Sequence, residues 1–337
     1  MLRALLTGLA AGLIAFTGPA TAAETLRLSN WLPPSHPVVK DVMLPWKAAV
    51  EKATEGRVTI KLLDAPLGPP PAHYDLAASG AADITFSAQA YTSGRFKTAM
   101  LAELPFLGDS SEAISVAYWQ VFQDQLAAAG EYSAVKVLTV FAHGPGHAFT
   151  KGRDLSSPAG CSGAELRVGG GMGHDVARAL GAVPVQGPSS KAYELISGGV
   201  ADGILFPFES VTFFRLDGLV NQGFVVPGGL YNTSFFFVMN KARWNRLSAA
   251  DQAAIDRVSG EALARLAGQA WDAADAAGRQ ALEGKVQLHT ATGEQLTALH
   301  QKLDPVIAAK LAEIATTGVD AKAALAAMKS RIAAESR

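Results

Sequence analysis

The sequence predicts an α/β protein built from two similar lobes. Strand and helix patterns alternate through the first half of the chain, and this order produces largely parallel sheets covered by helices. A ten-residue motif occurs once in each half, at 74–83 and 193–202. The chain has 337 residues, 49% of them apolar, which is enough for two cores of ordinary size. These three observations together indicate two lobes of related construction.

The first 23 residues are predicted to be an export signal. Arg3 supplies a positive charge, an apolar run follows at 4–16, and small residues offer a cleavage site near Ala22 or Ala23. No cysteine follows that site to carry a lipid, and no later apolar run is long enough to cross a bilayer. We therefore expect a soluble, exported chain that does not insert directly into a membrane.

Charge and cysteine content exclude several classes of protein. The formal net charge is −1, from 29 basic and 30 acidic residues, and no cluster of Lys and Arg indicates a nucleic-acid or anionic-membrane surface. Cys161 is the only cysteine, so the chain has no internal disulfide. We expect a periplasmic protein that relies on its core and recognises charge only locally.

Elements of the first half follow one another in a regular order. Because parallel sheets bind ligands beyond the carboxyl ends of their strands, residues just past those ends are candidates for a pocket. Trp31, Gln89 and Tyr91 hold such positions. The predicted elements are a strand at 26–31, a helix at 37–54 kinked at Pro45, a strand at 57–63, a helix at 73–79 and a strand at 83–86.

The internal repeat describes one supersecondary unit. Its two copies share Tyr, an acidic residue, Leu, Gly, Ala and Asp without a gap, and each reads as a helix, a glycine stop and the entry to a buried strand. Asp83 and Asp202 lie at the strand entrances. This is the end opposite the expected ligand site, so we interpret both aspartates as structural.

Arg167 is the main candidate for binding an anion. It alternates with Leu166 and Val168 in a short strand, so it should project from the opposite face of the sheet. Glycines including Gly170 follow, and a helix is predicted over 172–180. A guanidinium beside a helix N-terminus suits a carboxylate, because both offer N–H donors. The alternative is an arginine paired with a structural Asp or Glu.

Other candidates lie on both sides of this strand. His143 and His147 flank a Gly-Pro-Gly break, which forbids the regular helix of a zinc pair, so His147 is instead a candidate donor to an anion. The glycines lack the third position of a dinucleotide fingerprint, and no serine stands in a nucleophile elbow, so we expect no metal, no cofactor and no enzyme activity. Four further candidates follow the second repeat. Phe206 and Phe208 could form apolar walls, Glu209 could accept a hydrogen bond, and Tyr231 is a further aromatic candidate.

The C-terminal third is predicted to be helical. A capping box at Ser248 starts a stretch from 249 to 283 that contains no proline, and as one helix it would be about 50 Å long, enough to span two lobes. Further helices are predicted after Thr292, after Asp304 and over 320–335.

The order of motifs along the mature chain resembles the DctP-like substrate-binding proteins of tripartite ATP-independent periplasmic (TRAP) transporters. The resemblance covers nearly the whole mature chain, and its motifs, in order, are NWLPPSHP, EKATEGRVTI, PLG, ASGAADI, ELPFL, GAELRV, LGAVPV, YELISGGVADG and VMNKARWNRLSAADQAAI. It implies a two-lobed periplasmic-binding-protein fold of the Venus-flytrap, type II-like class, with a long helix bridging both lobes. The lobes would comprise 24–144 with 232–272, and 145–231 with 273–337.

The same resemblance implies a ligand and partners. Arg167 matches the family arginine that pairs with the substrate carboxylate. His147 falls where sialic-acid-binding members have a second arginine, and Phe206 where many members have an asparagine, which argues against a sugar acid or a polar dicarboxylate. We therefore expect an organic monocarboxylate, aromatic in the favoured case, such as a hydroxybenzoate or phenylpropanoid. The small and large membrane subunits of a TRAP transporter would be the partners. A small aliphatic 2-oxo or 2-hydroxy acid, or an ABC-type system, remains the alternative.

Overall fold

The protein is described by a computed structural model that covers residues 23–336. Residues 1–22 of the predicted export signal lie outside the described residues. Within them, no helix is both long enough and apolar enough to cross a membrane.

Two separate sheets form the centre of the molecule, as the two-lobe prediction requires. The first lobe is built on a five-stranded sheet of β1 (Glu24–Ser29), β2 (Val58–Leu62), β3 (Ile84–Ala88), β4 (Val135–Ala142) and β10 (Ser234–Asn240). The second is built on a six-stranded sheet of β5 (His147–Thr150), β6 (Glu165–Val168), β7 (Val183–Gln186), β8 (Gly203–Phe206), β9 (Gln222–Val225) and β11 (Gln287–Thr290). The chain therefore crosses from one sheet to the other after β4, after β9 and again after β10.

Strand order explains where a ligand site can form. The sheets run β2-β1-β3-β10-β4 and β11-β9-β5-β8-β6-β7. The pairs β1–β2 and β1–β3 are parallel, as are β6–β7 and β6–β8, whereas β10 and β5 run antiparallel to their neighbours. Every residue of β3 and β10 is buried, which is the pattern of central strands covered on both faces. The parallel strands place their carboxyl ends at one edge of each sheet.

Helices cover both sheets. They are α1 (Leu44–Ala53), α2 (His73–Ser79), α3 (Ser111–Val121), α4 (Gly171–Ala179), α5 (Ala192–Ser197), α6 (Phe208–Phe213), α7 (Lys241–Arg246), α8 (Ala249–Val258), α9 (Gly260–Leu282), α10 (Gly293–Ala315) and α11 (Ala321–Glu335). The helix predicted to kink at Pro45 consists of a π-helical turn at Val38–Met43 that continues into α1. The wider turn accommodates the missing proline N–H.

The prediction of one helix over 249–283 is wrong. Ser259 adopts an extended conformation and Gly260 has a φ of 57°, so the chain breaks between α8 and α9. With 23 residues, α9 is about 34 Å long. It still bridges the lobes, because it packs against α3 of the first lobe and α6 of the second. A side chain at Gly268 would lie 2.7 Å from the Glu112 nitrogen of α3, so glycine permits this close approach.

The C-terminal helix lies against the first lobe, although the predicted boundaries assign 273–337 to the second. Helix α11 packs on α3, and Arg331 forms an ion pair of 2.6 Å with Asp124, which lies in the turn after α3. Glu335 also lies 2.7 Å from Arg265 of α9. These ion pairs are partly exposed, so burial of the apolar side of α11 contributes most of the attachment.

The two repeat aspartates are structural, as predicted. Asp83 accepts hydrogen bonds from the backbone and side chain of Arg27, at 2.8 and 3.2 Å, and lies 3.3 Å from Arg243. Asp202 accepts a bond from the Glu165 nitrogen and pairs with Arg153. Both carboxylates tie a strand entrance to its neighbour.

Candidate functional site

A narrow cavity lies between the two sheets. Its lining combines residues that follow first-lobe strands, residues at the carboxyl edge of the second sheet, and one residue of α9. The lining residues are Trp31, Leu32, His36, Phe86, Tyr91, His143, Arg167, Gly169, Ser189, Phe206, Ser210, Phe214, Tyr231, Thr233, Phe235 and Trp271.

Arg167 occupies one end of this cavity. It is the third residue of β6 and is only 1% exposed. Its Nε and Nη2 atoms donate hydrogen bonds of 3.0 and 2.6 Å to the Gly187 carbonyl, which fixes the plane of the guanidinium. The ring of Phe206 lies 4.6 Å from Cζ and supports the other side by a cation–π contact. These contacts fix the orientation of the Arg167 side chain, but they do not neutralise its positive charge.

No protein carboxylate neutralises this arginine within residues 23–336, since none lies within 4.0 Å of its nitrogens. Burial lowers the pKa of Arg167, but a guanidinium remains protonated at neutral pH. A buried cation without a partner is costly, so an anion bound in the cavity would compensate it. The alternative of an arginine paired with a structural Asp or Glu does not describe this site.

The N-terminus of α4 is occupied by a protein carboxylate. Met172 donates its backbone N–H to Oε2 of Glu103, at 3.3 Å, and Oε1 accepts bonds from the nitrogen and hydroxyl of Ser234. Burial raises the pKa of Glu103 to about 7. Arg167, rather than this helix start, therefore supplies the positive potential in the cavity.

Flat aromatic rings form two walls. On the first-lobe side, Trp31, Phe86, Phe235 and Trp271 stack in sequence, with centroids 5.9, 5.4 and 5.9 Å apart and interplanar angles below 20°. On the second-lobe side, Phe206 and Phe214 stack at 5.8 Å. Two such walls provide a slot that suits a planar apolar body, since stacked aromatic pairs gain energy beyond the area they bury.

Tyr91 joins the two lobes beside Arg167. Its hydroxyl donates to Ser189 Oγ at 3.1 Å and accepts from the Ser189 nitrogen at 3.0 Å. A Cβ at Gly169 would lie 3.4 Å from the Tyr91 ring, so the glycine allows this contact. Tyr231 reaches the same end of the cavity, with its hydroxyl donating to the Leu205 carbonyl at 2.8 Å.

The structure brings five of the ten predicted site residues to this cavity and places five elsewhere. Around the cavity are Arg167, Phe206, Tyr91, Trp31 and Tyr231. The other five, Gln89, His147, Gly170, Phe208 and Glu209, are absent from its lining.

Each of those five residues has another set of contacts. Gln89 is buried and donates to the hydroxyls of Tyr118 and Tyr132. His147 packs on Phe208 at the side of a different groove, and its Nδ1 accepts from the Val226 nitrogen. Burial lowers the pKa of His147 to about 3, so it is a neutral ring at pH 7.

Glu209 and Gly170 also lie outside the lining of the cavity. Glu209 accepts a hydrogen bond from its neighbour Ser210 at 2.7 Å, and its other oxygen lies 3.5 Å from His36 Nε2. Gly170 has a φ of 108° and a Cβ there would lie 2.7 Å from the Ala90 carbonyl oxygen, so it serves the approach of the two lobes.

Sequence reasoning missed several lining residues. Phe86 and Phe235 read as core within buried strands, and Trp271 lies in a helix whose alanine-rich pattern indicates packing alone. Trp271 carried one usable signal, since it is the only aromatic residue of α9. Within the described part of the chain, no group of three or more His, Cys, Asp or Glu residues is arranged to hold a metal.

Two α/β lobes around a cavity, joined by a bridging helix, define the class of two-lobed solute-binding proteins. Residues 28–313 match the model of bacterial extracellular solute-binding protein family 7, DctP, and the chain belongs to that family. It is a TRAP solute-binding protein; the family comprises transport proteins that bind solutes and is not an enzyme class.

Known relatives extend the comparison. A TRAP periplasmic solute-binding protein from Bordetella bronchiseptica, with bound (R)- and (S)-mandelate, is 41% identical, has a TM-score of 0.89, and is matched over 91% of this chain and 98% of that one. A TRAP solute-binding protein from Rhodoferax ferrireducens, in complex with copurified benzoate, is 28% identical with a TM-score of 0.86, over 93% and 98%. The protein named outer membrane transporter protein TsaT, from Comamonas testosteroni, is 28% identical over 96% of this chain and 97% of its own length.

Proposed function

We propose that this protein binds an aromatic monocarboxylate in the cavity between its lobes and delivers it to the membrane subunits of a TRAP transporter. The observation that carries the proposal is a buried arginine that has no carboxylate partner among residues 23–336, at one end of a slot with aromatic walls. A ligand with one carboxylate and a flat apolar body complements both features. The aromatic acids bound by the similar Bordetella and Rhodoferax proteins support the same class of ligand.

In this proposal each part of the cavity has one role. Arg167 offers its remaining N–H groups to the ligand carboxylate, while Gly187 and Phe206 hold the guanidinium in place. The rings of Phe206 and Phe214 cover one face of the ligand, and the stack that includes Trp31 and Phe235 covers the other. Binding selects the closed arrangement of the lobes, in which Tyr91 contacts Ser189. The closed form then docks on the small and large membrane subunits.

Export to the periplasm belongs to the same proposal. Removal of the predicted signal near Ala22 or Ala23 would release a mature chain that meets its ligand outside the cytoplasmic membrane. Mass spectrometry of the protein recovered from periplasmic extract would locate the mature N-terminus.

A ligand panel tests the proposal. Purified protein, unfolded and refolded to remove any copurified ligand, is titrated by calorimetry with benzoate, phenylacetate, mandelate, pyruvate, lactate and succinate. We expect the aromatic acids to bind in the micromolar range or tighter and the others at least about tenfold more weakly. Tighter binding of pyruvate or lactate would replace the aromatic ligand by a small aliphatic acid. No binding of any carboxylate would refute the role of the cavity.

A further inference from the structure

His143 presents a hydrogen-bond acceptor to the cavity. Its Nδ1 lies 2.5 Å from the carbonyl oxygen of Gly144, and because that oxygen has no proton to give, Nδ1 carries the hydrogen. Burial lowers the pKa of His143 to about 4, and the nearby charge of Arg167 acts in the same direction. The ring is therefore neutral at pH 7, and Nε2 has a lone pair and no hydrogen.

This lone pair meets no donor in the described part of the chain. Nε2 of His143 makes no hydrogen bond within residues 23–336, although the side chain is almost wholly buried and lines the cavity. His36, the other histidine of the lining, differs: its Nδ1 accepts from the Val38 nitrogen, so its neutral ring carries the hydrogen on Nε2, which faces Glu209. Among the lining histidines, only His143 has an acceptor available to a ligand.

His143 lies close to lining residues of both kinds, those around Arg167 and those of the aromatic wall. Its ring is 5.7 Å from that of Tyr231, which lines the Arg167 end, and 5.7 Å and 6.0 Å from those of Trp271 and Phe235 in the aromatic wall. A ligand group that meets Nε2 is therefore attached between the carboxylate and the ring. In an aryl acid that position is the carbon next to the carboxylate.

We infer that His143 selects 2-hydroxy-2-aryl carboxylates by accepting a hydrogen bond from the 2-hydroxyl group. The inference rests on the proposed function and specifies its ligand further. A carboxylate accepts hydrogen bonds and an unsubstituted ring donates none, so neither satisfies Nε2. A hydroxyl is also an acceptor, and the lining contains two tryptophans, Trp31 and Trp271, whose indole N–H groups are buried without a partner in the described chain. A 2-oxo group could accept from such an N–H but could give nothing to His143.

Four ligands test the inference on the unaltered protein. Mandelate carries the 2-hydroxyl, phenylacetate lacks it, 2-methoxy-2-phenylacetate blocks its hydrogen, and benzoylformate replaces it with a carbonyl. Calorimetry should show mandelate binding roughly tenfold tighter than each of the other three, because a buried acceptor left without a donor loses about that much affinity. Equal affinities for mandelate and phenylacetate would overturn the inference. The inference would also be overturned if 2-hydroxybenzoate bound more tightly than benzoate while mandelate bound no more tightly than phenylacetate.

A variant assigns the effect to His143. His143→Phe keeps a flat ring and removes the acceptor, so mandelate should lose roughly tenfold in affinity while phenylacetate changes by less than about threefold. His147→Phe is the matched control, since His147 is an equally buried histidine outside the cavity, and the ratio of mandelate to phenylacetate affinity should stay unchanged. A preserved ratio in His143→Phe would overturn the assignment. If that variant does not fold, the comparison of four ligands still decides.

The two proposals fail in different ways. Binding of phenylacetate and benzoate without any preference for mandelate leaves the proposed function standing and refutes the role of His143. Failure of all the aromatic acids to bind the unaltered protein refutes both.

Discussion

Replacing Arg167 by lysine separates a ligand-binding role from a structural one. The change keeps a positive charge at the same place but removes the planar fork. In the native site, Nε and Nη2 both donate to the Gly187 carbonyl, and the stacked Phe206 ring holds the guanidinium plane. Nη1 and the second hydrogen of Nη2 can then point at a carboxylate together.

The expected loss follows from these contacts. An ammonium that donates to Gly187 offers the ligand only a single, less directed contact, so about one charge-assisted hydrogen bond is lost. Such a bond contributes about 1.5–3 kcal/mol, which corresponds to roughly 10- to 150-fold in Kd. The melting temperature of the ligand-free protein should change little, because Arg167 forms no ion pair within the described residues and its lysine replacement leaves no carboxylate unpaired.

Calorimetry with mandelate or benzoate and thermal melting of the ligand-free protein measure the two effects. Arg27→Lys is the matched control, because Arg27 pairs with Asp83 away from the cavity and its replacement should leave Kd unchanged. If Arg167→Lys binds both acids as tightly as the native protein, or if it lowers the melting temperature as its main effect, the assignment of Arg167 to the ligand is wrong.

Two further predictions concern contacts around the cavity. Tyr91→Phe removes the hydroxyl that joins the lobes through Ser189, so stopped-flow fluorescence should show ligand dissociating roughly three- to tenfold faster, whereas an unchanged rate would mean that this bond does not hold the lobes together. Burial raises the pKa of Glu209 to about 8 in the folded protein, so its contribution to stability is complete below its ordinary pKa of about 4.5 and is lost as pH rises through 8. Because Glu209→Gln cannot ionise at this position, its melting temperature should fall less than that of the native protein between about pH 5 and 9. His36 and Asp275, which lie close to Glu209, are present in both proteins. Parallel curves of melting temperature against pH for the two proteins would contradict the raised pKa.

Local sequence pattern determines much of this fold. Alternating apolar residues place Arg167 on a strand, and the observed strand β6 spans Glu165–Val168. The helix predicted at 73–79 has those bounds, and the predicted strand entrances at Asp83 and Asp202 are the observed ones. These features depend on side-chain period, glycine stops and caps, which are properties of neighbouring residues.

The break between α8 and α9 is a feature that local sequence patterns do not predict. Nothing in the composition of 249–283 requires a stop at Ser259, since a lone glycine is tolerated inside many helices. Ser259 is buried and its hydroxyl accepts a hydrogen bond of 3.1 Å from the Trp46 indole of α1. A hydrogen bond to a residue more than two hundred positions away in the sequence is thus made at the point where α8 ends and α9 begins.

The same distinction between local sequence and tertiary packing applies to the candidate site. From the sequence alone, Arg167, Phe206, Tyr91 and Trp31 could be placed at the carboxyl edges of strands, because chain direction decides which end of a parallel strand a residue follows. The sequence could not decide which neighbours turn into the cavity: Phe206 ends β8 and lines it, whereas Phe208, two residues later, begins α6 and packs on His147. Nor could it predict that Trp271 lies beside Phe235, or that Arg167 has no carboxylate partner in the part of the chain that the structure describes. Those contacts join distant segments across two lobes, and only tertiary packing brings such segments together.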